Sequence, residues 1–161
     1  MAKKVKPVPD GYHRVTPYLM VKGATKAIEF YKKAFSAEVK GRMDTPDGKV
    51  MHAELKVGDS IIMMAEEMPQ MSGACLAPTT LKGTTVGLFL YVKNTDAAFK
   101  KAVDAGCTKL MAPADMFWGD RFGKVQDPFG HQWLFATHIK DLTPEEIKKG
   151  AESMFKQPSK V

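Results

Sequence analysis

The chain has 161 residues, of which 44% are hydrophobic and 26% are charged, values typical of a single soluble globular domain. Its net charge is +6 and is concentrated partly in lysines near the two ends. No basic stripe alternates with aromatic residues, as a nucleic-acid-binding surface requires. No apolar run resembles the core of a signal peptide or approaches the length of a membrane span. We therefore expect a cytoplasmic protein without a nucleic-acid or membrane partner. The two cysteines form no Cys-x-x-Cys pair, which fits reduced thiols in that compartment.

The first half of the sequence predicts a β-α-β-β-β unit after a flexible N-terminal arm at residues 1–12. Alternating apolar residues over 13–21 predict the first strand, although Pro17 indicates an irregular stretch in it. Apolar residues then recur at helical spacing from Ala24 to Phe35. Three further strands are expected, with a Pro-Asp-Gly turn between the first two, at residues 38–43, 49–57 and 60–64.

The second half predicts the same order of elements after a linker at residues 67–85, where Pro and Gly interrupt every periodicity. A strand is expected at residues 86–92, followed by a helix that starts at Asn94 or Thr95 and stops at Gly106. Three more strands are predicted at residues 108–112, 121–127 and 131–138. Thr-Pro-Glu-Glu from position 143 is typical of a helix start, so residues 143–161 are expected to form a C-terminal helix and tail.

An internal repeat relates the two halves. Leu19-Met20-Val21 corresponds to Leu90-Tyr91-Val92 at an offset of 71 residues, and Val57-Gly58 corresponds to Phe129-Gly130 at an offset of 72. A unit of this size is too small to bury a full core alone. We therefore expect one domain at residues 13–142, built from modules at 13–66 and 86–140, with a ligand site at the seam between them.

The repeated unit resembles the vicinal oxygen chelate superfamily, which includes glyoxalase I, extradiol dioxygenases, fosfomycin-resistance enzymes and bleomycin-binding proteins. The resemblance rests on Phe30-Tyr31 near the end of the first helix and on Asp-Pro-Phe-Gly-His at 127–131. Met-Phe-Trp-Gly-Asp-Arg-Phe-Gly at 116–123 and Ala-Thr-His at 136–138 are similar to the PhnB-like branch. The likeness covers residues 13–155. It implies an α+β fold in which paired βαβββ modules form a curved mixed sheet around a cavity, followed by a C-terminal helix.

In metal-using relatives such as glyoxalase I, the ligands come from the first and last strands of each module. The resemblance and the repeat offset place those positions at Thr16, Ile62, Gly87 and Leu134. None of these residues is a useful ligand for zinc, nickel or iron. We therefore expect no metal site and no cofactor, with a divalent metal held by some combination of His52, Glu54 and His138 as the alternative.

Strand alternation from the same positions assigns the side chains that face the expected cavity. The set is mostly apolar and aromatic with a few polar groups, as in sites for organic ligands; a narrow cup filled by these side chains is the alternative. The expected lining is Thr16, Tyr18, Met20, His52, Glu54, Ile62, Met64, Gly87, Phe89, Tyr91, Phe122, Lys124, Gln126, Leu134, Ala136 and His138. The opposite parity, which includes Ile61, Met63 and Trp133, is expected to meet the helices.

Together with the resemblance, which implies a glyoxalase/bleomycin-resistance-like protein, this lining predicts the binding of a small organic molecule. The loop residues Trp118, Asp120 and Arg121 are expected to stand over the pocket mouth. The alternative for Arg121 is a structural role in which it bridges Asp120 or a backbone carbonyl. The other expected ligand contacts are Tyr18, Met20, Met64, Phe89, Tyr91, Phe122, Lys124, Leu134 and His138, a strand-end hydrogen bond being the alternative for His138.

The alternative function is a lyase, isomerase or glyoxalase-like enzyme. In it Glu54 would be the general base and His52 its partner or a metal ligand. The structural alternative for this pair is a partly solvated polar strand face.

Exposed strand edges favour a two-fold homodimer. The C-terminal helix carries an apolar stripe that needs a partner surface, on the same chain or on a second subunit, and we expect it at or near the dimer interface. The stripe consists of Ile147, Ala151, Met154 and Phe155.

Overall fold

The structure is a computed structural model that describes residues 5–71 and 73–156. The chain divides into two compact units between Thr85 and Val86, and each unit contains a four-stranded mixed sheet. Both units have the predicted order β-α-β-β-β. No helix of the described residues is long and apolar enough to cross a membrane.

The first unit has five main elements and a one-turn helix after them. They are β1 (Tyr18–Val21), α1 (Ala24–Phe35), β2 (Glu38–Asp44), β3 (Val50–Val57), β4 (Ser60–Glu66) and α2 (Pro78–Leu81). The strands are hydrogen-bonded in the order β1-β4-β3-β2. β1 is parallel to β4, and the other pairs are antiparallel.

Helix α1 forms where its apolar residues fall on one face. Ala27, Ile28 and Tyr31 are at most 2% exposed and make the packed side of the helix. At its N-terminus the Glu66 carboxylate accepts hydrogen bonds from the backbone N–H groups of Gly23 and Ala24, at 2.8 and 2.7 Å. A carboxylate at this position accepts hydrogen bonds from N–H groups that have no partner within the helix, and its negative charge interacts favourably with the positive end of the helix dipole.

The second unit repeats this arrangement and adds the C-terminal helix. Its elements are β5 (Gly87–Tyr91), α3 (Thr95–Ala105), β6 (Thr108–Asp115), β7 (Asp120–Gln126), β8 (Gln132–His138) and α4 (Pro144–Lys156). The strand order is β5-β8-β7-β6, with β5 parallel to β8. Asn94 caps α3 by accepting a hydrogen bond from the Ala97 N–H at 2.9 Å, as the sequence predicts.

Helix α4 begins with the predicted capping box. The Thr143 hydroxyl accepts from the Glu146 N–H at 3.2 Å, and the Glu146 carboxylate accepts from the Thr143 N–H at 2.8 Å. A Cβ atom added at Gly150 would lie 2.7 Å from the Phe117 Cβ, so the helix packs closely on the segment before β7. Met154 and Phe155 of the apolar stripe remain 53% and 85% exposed.

Several element boundaries differ from the prediction: β6, for example, extends to Asp115 instead of residue 112, and β7 begins at Asp120 instead of residue 121. Two differences in the first unit are larger. The first strand is limited to Tyr18–Val21 instead of 13–21, because Pro17 has no N–H to continue the ladder, although its carbonyl still accepts from the Met63 N–H at 2.8 Å. The segment 67–85 contains the short helix α2, which the Glu67 carboxylate ties down by accepting from the Ala77 N–H at 2.7 Å.

The predicted parity of β4 is wrong. Ile62 pairs with Leu55 and Met64 with Ala53, so Ile62 and Met64 lie on the buried face and are 5% and 0% exposed. Met63, which pairs with Glu54, takes the opposite face, and so does Ile61. The reason is turn length: the turn between β3 and β4 has two residues, 58–59, whereas its counterpart between β7 and β8 has five, 127–131. Because the side-chain period of a strand is two, an odd difference in turn length moves every side chain of the following strand to the other face.

Candidate functional site

Four aromatic side chains, Phe89, Tyr91, Trp118 and Phe122, gather on one face of the second sheet; we call them the aromatic cluster. The Phe89 ring centroid lies 5.9 Å from that of Phe122 and 5.2 Å from that of Tyr91, and the Trp118 and Phe122 centroids are 5.7 Å apart. Phe122 is 8% exposed and forms the base, whereas Phe89 and Tyr91 are 47% and 69% exposed. The cluster therefore combines a packed floor with accessible ring surface.

A buried carboxylate, Asp120, holds the edge of this cluster. It is 4% exposed and accepts from the Trp118 indole N–H at 3.1 Å and from the Tyr91 hydroxyl at 3.4 Å. Its other oxygen lies 2.8 Å from Nδ1 of His138. Because a buried charge must be paired and hydrogen-bonded to be tolerated, these contacts fix the positions of two aromatic rings.

His138 connects Asp120 to the solvent side. Its Nε2 lies 3.0 Å from the Asp141 carboxylate, so the imidazole sits between two acids. Hydrogen bonds to Asp141 and then Asp120 raise the pKa of His138 above its ordinary value. The ring therefore links two carboxylates at the end of β8, where Asp120 and His138 are directly paired.

The loop before β7 places Trp118 beside this network. Gly119 has φ of +97°, and its carbonyl accepts from the N–H groups of Ile139 and Lys140 at 2.9 and 3.0 Å. An added Cβ would lie 2.2 Å from the Lys140 carbonyl oxygen. Only glycine fits this close backbone approach, which locks the loop to the segment after β8.

Arg121 lies on the opposite face of its sheet from the aromatic cluster, which makes its expected place over a pocket mouth wrong. Its guanidinium pairs with Asp96 of α3 and with Asp115, the latter at 2.8 Å, and these carboxylates raise the pKa of Arg121. The physical reason is that β7 starts at Asp120, so alternation sends Asp120 to the aromatic face and Arg121 to the helix side. The structure gives Arg121 a structural ion pair, with Asp96 and Asp115 as its partners in place of the expected Asp120.

The remaining predicted residues of the second unit lie on the expected face. Lys124 pairs with Leu134, and Phe122 with Ala136, so these side chains share the aromatic face with Phe89. Lys124 and Leu134 are partly exposed. Whether they contact a ligand stays a prediction.

In the first unit, a chain of hydrogen bonds joins Tyr12, Glu54, His52 and Tyr18; we call it the Tyr–Glu–His–Tyr chain. Tyr12 donates a short hydrogen bond to one Glu54 oxygen, and the other oxygen lies 3.3 Å from Nε2 of His52. Nδ1 of His52 lies 3.2 Å from the Tyr18 hydroxyl. The hydrogen bonds from Tyr12 and then His52 lower the pKa of Glu54, and the bond to Glu54 raises the pKa of Tyr12.

Tyr12 is the member of this chain that the sequence did not reveal. The composition of residues 1–12, rich in Lys and Pro, predicts a flexible arm there, whereas Tyr12 contacts a residue 42 positions away. Met20 lies on the same strand face as Tyr18 and is partly exposed. Met64, assigned to that face by the wrong parity, is instead fully buried on the other side.

The positions that would hold a metal in glyoxalase I do not fit one here. β1 pairs Tyr18 with Met63, and β5 pairs Phe89 with Leu134, so the residue equivalent to Leu134 is Met63 and not Ile62. Thr16, Met63, Gly87 and Leu134 offer neither imidazole nor carboxylate. Across residues 5–71 and 73–156, no group of three or more His, Cys, Asp or Glu side chains is arranged to hold a metal ion.

Sequence comparison gives relatives across most of the chain. An uncharacterized protein of Mycobacterium tuberculosis, Rv0887c, is 41% identical over 140 residues, which are 86% of this chain and 82% of that protein. An uncharacterized protein of Arabidopsis thaliana, At5g48480, is 34% identical over 127 residues, 74% of each chain. The chain is thus similar to proteins from both bacteria and plants.

Solved structures show the same fold. The X-ray structure of At5g48480 superposes with a TM-score of 0.62 at 31% identity, covering 78% of this chain and 98% of that one. TioX from Micromonospora sp. ML1 gives 0.62 at 22% identity, covering 79% and 99%. A protein from Bacillus cereus described as a PhnB protein and putative 3-demethylubiquinone-9 3-methyltransferase gives 0.60 at 17% identity, covering 78% and 99%.

The family assignment rests on both the repeated βαβββ units and the sequence. Residues 11–135 match the family described as the Glyoxalase/Bleomycin resistance protein/Dioxygenase superfamily. The match spans both units, and the observed α+β architecture with its C-terminal helix is that of the vicinal oxygen chelate fold. The chain therefore belongs to the glyoxalase/bleomycin resistance protein/dioxygenase superfamily.

Proposed function

We propose that the protein binds a small, planar organic molecule on the aromatic cluster and that binding needs no metal ion. The observation that carries this proposal is the accessible ring surface of Phe89 and Tyr91 beside Trp118, over a buried floor at Phe122. Aromatic rings stack on planar ligands with a favourable energy of about 0.5–1.5 kcal/mol beyond that of the buried area.

Rigidity supports the same proposal. Asp120 fixes the indole of Trp118 and the hydroxyl of Tyr91 before any ligand arrives, so few side-chain rotamers are lost on binding. Side chains immobilised by a ligand otherwise cost about 0.5–1.5 kcal/mol each. The cluster is thus preorganised for a flat ligand that stacks on it and meets polar groups along one edge.

The test is a binding screen with planar aromatic compounds and bleomycin, followed by titration calorimetry and amide NMR on any hit. Trp118→Ala should weaken binding by roughly tenfold or more, because it removes one wall of the site. Leu81→Ala is the control, since Leu81 is a large apolar residue on α2 of the first unit that is 60% exposed, and this change should leave affinity unchanged. Equal affinity for wild type and Trp118→Ala would contradict the proposal.

The absence of a metal requirement is tested separately. Protein treated with a chelator and desalted should bind the hit with the affinity of untreated protein. The reason is that the positions that hold the metal in glyoxalase I supply no side chain here that could coordinate a divalent ion. Recovery of affinity only on adding zinc, nickel, manganese or iron would show that metal-free binding is wrong.

We also propose a homodimer in which α4 lies at or near the interface. The exposure of Met154 and Phe155 supports it, since large apolar side chains gain free energy when they are buried. Light scattering of the full chain and of a chain ending at Leu142 tests it. A full chain that is monomeric at micromolar concentration would exclude the dimer, and a truncated chain that still dimerises would exclude a role for the helix.

A further inference from the structure

The His52 imidazole lies between a carboxylate and a phenol. Its Nε2 is 3.3 Å from a Glu54 oxygen, and its Nδ1 is 3.2 Å from the Tyr18 hydroxyl. An ionised carboxylate only accepts hydrogen bonds, so Nε2 must carry the proton. In the neutral ring Nδ1 is then the acceptor, and the Tyr18 hydroxyl is its donor.

We propose that Tyr18 is a proton-transfer residue, with His52 as the base that takes its proton and Glu54 as the residue that positions His52. This assigns the reactive end of the chain to Tyr18 and not to Glu54, the general base expected from the sequence. It does not depend on ligand binding at the aromatic cluster.

Exposure supports this direction of transfer. Tyr18 is 50% exposed, whereas the side chains of His52 and Glu54 are 31% and 24% exposed. The phenol is therefore the member of the three that meets a ligand most readily. Tyr12 donates a hydrogen bond to one Glu54 oxygen, which favours the carboxylate form and makes Glu54 a poorer proton acceptor.

Three strands set this geometry without help from a flexible loop. Tyr18 is on β1 and His52 and Glu54 are on β3, with β4 between them; Met63 of β4 pairs with both Tyr18 and Glu54. The thioether side chains of Met20 and Met63 flank Tyr18 on the same face. A mostly apolar compound with one weakly acidic O–H, or one C–H next to a carbonyl, fits such a surface.

Every proton in the proposed step is accounted for by the ligand, Tyr18 and His52. The ligand's O–H or C–H bond breaks as an O–H bond forms at Tyr18, while the original Tyr18 proton moves to Nδ1 of His52. The ligand is left as an anion and His52 as an imidazolium, whose charge the Glu54 carboxylate stabilises. Reversal returns the proton at the same or another ligand atom, and no electron leaves or enters.

Benzenesulfonyl fluoride tests the activation of Tyr18, because it sulfonylates a phenol that loses its proton to a neighbouring base. An S–O bond forms at Tyr18, the S–F bond breaks, fluoride leaves, and His52 takes the phenol proton. Labelling is followed by peptide mass spectrometry, with Tyr91 as the internal comparison, since it is 69% exposed and bonds a carboxylate. We expect Tyr18 to react about tenfold faster than Tyr91 or more.

Variants separate the roles in the chain. His52→Gln should reduce the labelling rate of Tyr18 to that of Tyr91, and Glu54→Gln should reduce it less. His13→Gln changes an exposed histidine outside the Tyr–Glu–His–Tyr chain and should leave the labelling rate of Tyr18 unchanged. Equal rates at Tyr18 and Tyr91 in the wild type, or a Tyr18 rate that survives His52→Gln, would overturn the proposal. Should His52→Gln fail to fold, ¹⁵N NMR of the wild-type imidazole decides: a proton on Nε2 supports the proposal, and a proton on Nδ1 refutes it.

Discussion

Gly119→Ala is expected to destabilise the second unit strongly. Gly119 has φ of +97°, and a non-glycine residue in a left-handed conformation costs about 1–2 kcal/mol. The new Cβ would lie 2.2 Å from the Lys140 carbonyl oxygen, about 1 Å closer than a normal carbon–oxygen contact of ~3.3 Å or more. The backbone must therefore separate.

Separation would break the two hydrogen bonds that the Gly119 carbonyl accepts from Ile139 and Lys140. Each bond contributes about 1 kcal/mol, so the free energy of unfolding should fall by roughly 3–4 kcal/mol in total. For a chain of this size, the melting temperature should drop by about 6–16 °C. Because Trp118 and Asp120 flank Gly119, the variant should also lose binding at the aromatic cluster.

Gly48→Ala is the matched control. Gly48 also has a positive φ of +81°, but nothing lies within 4 Å of its added Cβ, so only the conformational cost of about 1–2 kcal/mol applies. Thermal unfolding followed by far-ultraviolet circular dichroism reports on both units and compares the variants directly. If Gly119→Ala were no more destabilising than Gly48→Ala, the close backbone approach would not stabilise the loop, and the reasoning would fail.

Three further predictions concern single side chains. The pKa of His138 is raised in the folded protein, so its positive charge stabilises the fold fully below the unfolded-state pKa, and this stabilisation is lost as pH rises through the folded-state pKa. In urea titrations, His138→Gln should therefore lower the free energy of unfolding more at pH 5 than at pH 9. An equal effect at the two pH values would contradict the assignment. Burial and, to a smaller extent, the Asp127 charge raise the pKa of the Cys107 thiol to about 12. At pH 8, Ellman's reagent should therefore react only with the exposed Cys75 in native protein and with both thiols in urea. Rapid reaction of both thiols in native protein would disprove this prediction. Trp133→Phe removes the indole N–H that donates to Asp127 at 2.8 Å, and both residues are at most 3% exposed. The free energy of unfolding, measured by urea titration, should fall by about 1–3 kcal/mol. An unchanged midpoint would refute this prediction.

The sequence was sufficient wherever a few neighbouring residues decide the structure. Helix α1 has the predicted bounds because the spacing of its apolar residues, which repeats every three or four positions, is already visible in the sequence. The Asn94 cap and the Thr143 capping box were predictable for the same reason, since both involve residues three positions apart. The repeat also predicted the order of elements along each module, because each module carries its own pattern, and the short motifs at 30–31, 116–123 and 127–131 indicated the family.

Pairing between strands was decided by the tertiary structure. The face on which Met63 and Met64 lie depends on one residue in a turn, and both strand faces are apolar enough that the sequence pattern fits either register. Arg121 lies within the predicted strand and alternates with the cavity-facing Phe122, so strand alternation alone sends it to the helix side. The tertiary structure decided its partners, Asp96 and Asp115.

The candidate sites depend on contacts between residues far apart in the chain. Tyr12 reaches Glu54 across 42 positions, and Tyr18 reaches His52 across 34. The single residue types were visible in the sequence, but their order in a hydrogen-bond chain was not, because the atom that each donor meets is set by the packing of three strands. The sequence by itself determined the elements and the family; the folded sheets determined which carboxylate, imidazole and phenol came together.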